Sequence, residues 1–542
     1  MRIPRFSLSL MLMLATSLAA HAAVGGGVPD FRLLDQQGRS HVLRRYVDVP
    51  AVALLAIPKD AAADDASVQA FQAAAKANPK LIFLAIAPGT PVETLAKLDL
   101  PVLSDEAQII LPAIGLTHAG EAMLVETAHW QAVYQGDAAG LAGAIAAFTA
   151  NTSLPAATPA TGTPLALDPL PTGVSYAKDV APLLAARCAG CHSEGNVGPF
   201  ALDGHGQVAG HAKMIAETLR TRRMPPWNAD PRYGQFSNAM ALSDAERRTL
   251  LGWLDAGCPK DGDADLLAEA KHPPATEWRL GTPDLVVKLP EPQNIPAEGV
   301  LDYKYYEVPL DLPPGTWLRG TEVRITSPQV VHHVLVYMHR PDEDIDFTEE
   351  YVASYVPGHD PGFFPEGTGK PVPAHAQLLF QLHYTPNGKA VTDTPELGIY
   401  LCKEKPTHEV FLGSATNRHF EVAPNTPDAE VSAVFRAPED VLVYSLSPHM
   451  HLRGRRMSFE AIYPTGQHDM LLSVPDYDFY WQHSYHLAEP KRIPKGTVIQ
   501  VTGAFDNSVR NPLNPDPTKE LHWGEQSWEE MFIGSILYRN AD

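Results

Sequence analysis

The chain has four cysteines in 542 residues, and none before Cys188. A thiol mechanism needs a thiolate, so the first third of the chain carries no thiol redox chemistry. Basic residues are few: 42 Lys and Arg stand against 63 Asp and Glu, a formal net charge of −21. That balance argues against nucleic acid or an anionic membrane as partner. Beyond the first residues, no apolar run approaches the ~20 residues of a membrane span, so no transmembrane segment is expected. No cysteine follows Ala20-His21-Ala22, so there is no lipoprotein lipobox.

Arg2 and Arg5 form a positive n-region, Phe6 to Leu18 is an apolar core, and Ala20-His21-Ala22 is a small-x-small cleavage site. Residues 1–22 therefore read as a signal peptide, and the mature protein is expected to be periplasmic or secreted. Further on stands Cys188-Ala189-Gly190-Cys191-His192. C-x-x-C-H is the attachment signature of a c-type haem. Two thiols can bond the haem vinyls, and His192 can ligate the iron. One covalent haem c is expected, and an exported chain suits its attachment. Its sixth ligand is sought among Met214, Met224 and Met240, with His205 and His211 as alternatives. Met224 is preferred, because Pro225 and Pro226 stop the helix and fix a loop able to present a thioether. Trp227 is expected to pack on the porphyrin. The remaining thiols, Cys258 and Cys402, read as two buried free cysteines, though an oxidising compartment permits a bridge between them.

The length implies several domains, and fifty prolines suit a loop-rich, β-rich chain with linkers. Residues 24–150 alternate strands and helices: Val52 to Ile57 and Leu81 to Ile86 read as buried strands, Ala66 to Ala75 as a helix, and Ala122–Val125 with Ala132–Tyr134 as a hairpin. This layout resembles the thioredoxin-like redoxins. Those place a reactive cysteine after the strand that ends here at Ile57, where this chain reads Pro58-Lys59-Asp60. The domain is expected to be a docking or structural module. Residues 151–173, rich in Pro, Thr and Ala, read as a linker. Residues 174–267 read as an all-α, cytochrome c-like haem domain, with Ser243 and Glu246 as a helix capping box.

From about residue 277, short β-rich runs alternate with Pro- and Gly-bearing turns, which reads as two β-sandwiches over 277–405 and 406–542. Three runs carry histidines: Val331-His332-His333-Val334, Gln381-Leu382-His383-Tyr384 and Ser447-Pro448-His449-Met450-His451. On a strand, positions i and i+2 share a face, so His449 and His451 are paired for a metal. His332 and His333 would point to opposite faces unless a bulge intervenes or one ligates through Nδ1. For any single histidine, a hydrogen-bonded structural role is the expectation; five on three strands favour metal.

The His-His, Gln-x-His-Tyr and His-x-His motifs, in this order with spacings of 50 and 66 residues, resemble the copper type II, ascorbate-dependent monooxygenases. That family includes the peptidylglycine α-hydroxylating and dopamine β-hydroxylating enzymes. The resemblance covers residues ~280 to 540 and implies two jelly-roll sandwiches, each holding one copper across a solvent-filled gap. It maps one copper onto His332, His333 and His383 and the other onto His449, His451 and Met531, with Gln381 at the family's glutamine. The family's disulfides have no counterpart here. Imidazoles suit both copper oxidation states and a thioether favours Cu(I).

The implied function is a periplasmic copper monooxygenase that hydroxylates a C–H bond of a small molecule or peptide with O2. Its electrons would come through the haem from a periplasmic donor or an ascorbate-like reductant. Arg453, Arg455 and Arg456 are candidates to meet an anionic substrate, or else a solvated basic edge. The alternative is a non-enzymatic electron carrier or copper-handling protein. A haem peroxidase would need an open sixth haem position.

Overall fold

A computed structural model describes residues 25–155, 160–270, 276–341, 350–358 and 361–542; the expected signal peptide, residues 1–22, lies outside them. The chain forms two compact units, one of Val49–Asp168 with the residues up to Pro29, the other of Asp30–Asp48 with Pro169–Asp542. No helix among the described residues is long and apolar enough to cross a membrane.

In the first unit, strands Ala51–Ala56, Ile82–Pro88 and Val102–Asp105 run parallel. Ala51–Ala56 also pairs antiparallel with Glu121–Glu126, which forms a hairpin with Gln131–Asp137. Helices Ala66–Ala77 and Ala138–Thr149 pack against the sheet and each other. Every residue of Ala51–Ala56 is buried, as expected of a central strand covered on both faces. This is a thioredoxin-like order, and its first parallel strand ends without a cysteine.

The second unit opens with the hairpin Arg32–Asp35/Ser40–Val42. Arg32 donates to Asp476 Oδ2 (2.8 Å) and Asn228 Oδ1 (2.9 Å), and Arg45 to Asp476 Oδ1 (2.7 Å). Burial alone would raise Asp476, but Arg45 and Arg32 hold its carboxyl below the usual range. Asp476→Ala would leave Arg32 buried without an anionic partner, with only Asn228 to accept from it. We expect a loss of about 3–5 kcal/mol, read as a lower denaturant midpoint.

Residues 176–269 hold short helices separated by loops, the longest over 221–243. Ala181–Arg187, Ala212–Arg220 and Asp244–Asp255 are the longer helices. Ser243 and Glu246 form the expected capping box. The core is polar at its edges: Tyr176 donates to Asp265 (2.6 Å) and Trp253 Nε1 to the Pro259 carbonyl (2.9 Å).

The rest is β. One sheet orders Lys304–Pro309, Gln377–Tyr384, Val331–His339 and Tyr351–Tyr355. It shares an apolar core (Val334, Val336, Phe380, Leu382) with a sheet containing Trp317–Arg324, Glu396–Leu401 and Leu285–Lys288 (Leu318, Val323, Leu397, Ile399). Next come two four-stranded sheets, one of Phe411–Thr416, Ile533–Asn540, Val441–His449 and Tyr485–Ile493. The other comprises Thr426–Arg436, Val498–Asn507, Gly454–Ile462 and His468–Val474. They too share one core, including Val443, Leu446, Phe459, Val501 and Ile536. His408–Glu409 still pairs with Thr368–Gly369, so the change from one sheet pair to the next falls at Val410.

Candidate metal centres

Helix Ala181–Arg187 ends at Cys188, and the amides of Cys191 and His192 both donate to the Cys188 carbonyl (3.2 and 2.9 Å). One tight turn therefore carries both thiols and the imidazole. All four cysteines are free thiols, and burial pushes Cys188 up to about 12. His192 Nδ1 donates to the Phe200 carbonyl (3.0 Å), which fixes the tautomer and leaves Nε2 as the ligand atom. Gly198 lies so close that a Cβ there would meet the Cys191 carbonyl at 2.7 Å and His192 Nδ1 at 2.9 Å. Two half-buried thiols and a ring held by its rear nitrogen fit a covalent haem.

Among the sixth-ligand candidates, Met214 is exposed and Met240 packs against the core of the last two sheets. His205 is engaged, with Nε2 donating to the Cys258 carbonyl (2.8 Å) and its ring edge-on to Tyr176 and Trp253. His211 stacks on Phe200 at 4.1 Å, and its Nδ1 donates to Gln207. Met224 is half-buried, at the start of the Pro225-Pro226 loop. Trp227 departs from expectation: it lies in the core of the last two sheets, against Tyr485 (4.8 Å) and Phe236. The prolines carry the chain away from the helices, and Phe236 bridges to Leu487.

His332, His333 and His383 form a cluster whose ligand atoms lie within 4.8 Å of one another. The register explains how neighbours on a strand share it. Val331 pairs with Tyr384, His333 pairs with His383, and the shift between them is a bulge at His332. The Nδ1 atoms of His332 and His333 are 3.3 Å apart. His333 Nε2 donates to Gln381 Oε1 (3.2 Å), so His333 offers Nδ1. His332 Nε2 and His383 Nδ1 are buried without a hydrogen-bond partner among the described residues. Burial pushes His332 down to about 3 and His383 to about 4, and His333 well below its usual value. Three neutral imidazoles with unused nitrogens fit a cation that takes nitrogen donors.

His449 closes strand Val441–His449, and His451 lies just beyond it. Strand periodicity therefore does not pair them. Their ring centroids are nonetheless 5.3 Å apart, because the turn after the strand is held from below. Glu530, fully buried, accepts from the amides of His451 (2.8 Å) and Arg453 (2.6 Å). His449 Nδ1 donates to Gln482 Oε1 (2.6 Å) and His451 Nδ1 to the Glu529 carbonyl (3.3 Å), so both rings offer Nε2. His449 pairs with Ile533 at the end of the antiparallel ladder, and Met531, half-buried, lies two residues before Ile533. Two adjacent imidazoles offering Nε2 suit either copper oxidation state, and the thioether that the resemblance assigns to Met531 would favour Cu(I).

Between strands His468–Val474 and Tyr485–Ile493 runs a loop that the sequence reading passed over. It contributes Phe479, stacked on His332 at 4.3 Å and 6.0 Å from His451. Tyr480 lies edge-on to His332 at 5.6 Å, Gln482 holds His449, and His483 Nε2 donates to the Pro226 carbonyl (2.5 Å). Phe479, 3% exposed, thus sits between the two histidine sets, where the resemblance led us to expect solvent. The signal was present as Tyr477-Asp478-Phe479-Tyr480-Trp481-Gln482-His483, a run too aromatic for an ordinary surface loop. Tyr303 was also missed; its ring lies 4.6 Å from His383 and its hydroxyl 3.3 Å from Ser527 Oγ. Gln381 Nε2 donates to the Tyr305 hydroxyl (3.2 Å).

The arginines after His451 form neither a solvated edge nor a free anion site. Arg453 is buried and donates to Asn514 (2.8 Å) and the Trp528 carbonyl (2.9 Å). Arg455 donates to the Pro427 carbonyl, and Arg456 pairs with Asp428 and Glu430.

Burial pushes His483 down to about 4. Between that value and the usual 6.5 the unfolded chain binds the extra proton, so stability falls as pH drops through this window and levels off below it. His483→Gln should reduce that dependence by up to about 1.4 kcal/mol per pH unit, measured from denaturant midpoints at pH 7, 6 and 5.

No known family profile matches the chain. Solved structures similar to it include a hypothetical protein of Sinorhizobium meliloti (20% identity, 27% of this chain and 94% of that one, TM-score 0.24). Others are the peroxidoxin BcpB of Mycobacterium tuberculosis (22% identity, 24% and 100%, TM-score 0.21) and a putative thiol:disulfide interchange protein DsbE of Chlorobium tepidum (13% identity, 21% and 83%, TM-score 0.19).

Proposed function

We propose that the protein is an exported copper monooxygenase that inserts one oxygen atom of O2 into a substrate C–H bond, fed with electrons through its own c-type haem. The observation that carries this reading is the pairing of two unlike ligand sets in one unit. One has three neutral imidazoles; the other has two imidazoles, to which the resemblance adds Met531. In this reading each pair of sheets is a jelly-roll sandwich, and the helical region is a cytochrome c domain. Copper at the second set would supply O2 activation, and copper at the first and the haem would supply electrons.

The chain's own residues have definable tasks. Gln381 orients His333, Gln482 and the Glu529 carbonyl orient His449 and His451, and Phe479 keeps water from between the two sets. Arg453, Arg455 and Arg456 are all engaged internally, so they would not capture a substrate carboxylate. Exposed Tyr480, beside His332, and exposed Tyr305, bonded to Gln381, favour a neutral or aromatic substrate face.

The test is isotopic. Copper- and haem-loaded protein, reduced with ascorbate, is incubated with candidate substrates under ¹⁸O2. One ¹⁸O should enter product with the wild type and none with Met531→Ile. Uptake of O2 at the same rate in both, with no labelled product, would contradict the proposal.

A further inference from the structure

The reading above leaves open where an electron from the haem enters the copper pair. The loop at residues 475–484 points to one entrance. Met224 is joined covalently through Pro225 to Pro226, whose carbonyl accepts from His483 Nε2 at 2.5 Å. The next residue back, Gln482, accepts from His449 Nδ1 at 2.6 Å. The path from the Pro226 carbonyl to His449 thus runs through two short hydrogen bonds, the side chains of His483 and Gln482, and the peptide link between them. Both ends are fixed. Trp227 is buried among Phe236, His483 and Tyr485. The Ser237 amide donates to the His486 carbonyl (2.9 Å), and Asn238 Nδ2 to the Ser484 carbonyl (2.8 Å). On the other side, Ser447 donates to Ser484 Oγ (2.8 Å). Among the described residues, no hydrogen bond joins residues 224–240 to His332, His333 or His383; the contact on that side, from Gln329 Nε2 to the Asn196 carbonyl, is longer (3.4 Å).

We propose that the segment Gln482–His483 is the electron link from the haem to the copper held by His449, His451 and Met531, so that this copper is reduced by the haem directly. The step is a single electron transfer: ferrous iron becomes ferric, cupric copper becomes cuprous, and no atom or proton moves. Electron tunnelling decays more slowly along bonds and short hydrogen bonds than across a gap, which is why this contact matters. The inference rests on the copper reading of the preceding subsection and on Met224 as the sixth haem ligand.

The experiment uses the full chain loaded with haem and copper, oxidised and without O2. A flash photoreductant delivers one electron to the haem, and its reoxidation is followed by absorbance. Gln482→Leu and His483→Phe are expected to slow reoxidation at least tenfold. Copper content, measured at saturating copper, and melting temperature serve as controls for ligand binding and folding. His383→Ala, with first-site copper lost, is expected to keep the wild-type rate. An unchanged rate in both loop variants, with copper bound at His449 by its Cu(II) EPR signal, would overturn the link alone. So would loss of reoxidation in His383→Ala. Absence of any copper signal at His449 in the wild type would instead overturn the copper reading itself. If His483→Phe fails to fold, Gln482→Leu decides the matter, because Gln482 is only half-buried.

Discussion

Alanine at His449 is expected to cut bound copper from two ions per haem to one and to abolish oxygen insertion. His449 supplies one of two imidazoles in its set, and Gln482 fixes its donor nitrogen at Nε2. With it gone, His451 and Met531 remain, a donor set too small to hold copper against exchange with solvent. The loss is local: His332, His333 and His383 belong to a different pair of strands, and the turn proposed to hold the haem lies at Cys188–His192. His333→Ala should give the mirror result, one copper retained at the second set. Metal analysis with EPR on both variants checks the pair. Two coppers in His449→Ala would mean that this histidine is a structural residue.

Glu530→Ala is expected to destabilise the copper-free protein by about 3–5 kcal/mol and to weaken copper binding at His449 and His451 by a further 10–100-fold. The carboxylate is the acceptor for two buried amides, His451 and Arg453. Each amide left without an acceptor costs about 1–3 kcal/mol, and the cavity left by the side chain adds to that. Burial pushes Glu530 up to about 8 against the pull of these amides, so the site keeps an expensive group where it is because the turn depends on it. Ligand-orienting partners typically contribute 10–100-fold in metal affinity. Denaturant midpoints and copper titrations measure the two effects separately. Glu530→Gln should fall between, since its one amide oxygen can still accept. A Glu530→Ala protein with wild-type stability and copper affinity would show that the turn holds itself.

The helices and strands were legible wherever periodicity was strong. Ala66–Ala77, the capping box at Ser243 and the strands bearing His333, His383 and His449 fall where apolar spacing put them. The first histidine set was legible as residues but not as geometry, since adjacent His332 and His333 need the bulge that only the pairing with Tyr384 and His383 reveals. His451 was assigned to a strand by period-two reasoning; the strand ends at His449, and a carboxylate 79 residues further on holds the turn. Trp227 was placed on the porphyrin because Pro225 and Pro226 were read as a haem loop. Which surface a bulky ring buries depends on tertiary contacts, here Phe236, His483 and Tyr485, that no local pattern encodes. The loop at Phe479–His483 was passed over for the same reason: its meaning lies in the three distant sites it touches.

The central claim is that one chain holds a haem and two dissimilar coppers. The copper-to-haem ratio of protein purified from the periplasm, read with its Cu(II) EPR spectrum, tests it most directly. Two type II coppers per haem are predicted, one lost on replacing His449 and the other on replacing His333. One copper or none, in protein fully loaded with haem and supplied with copper, would contradict the claim and leave an electron-transfer protein.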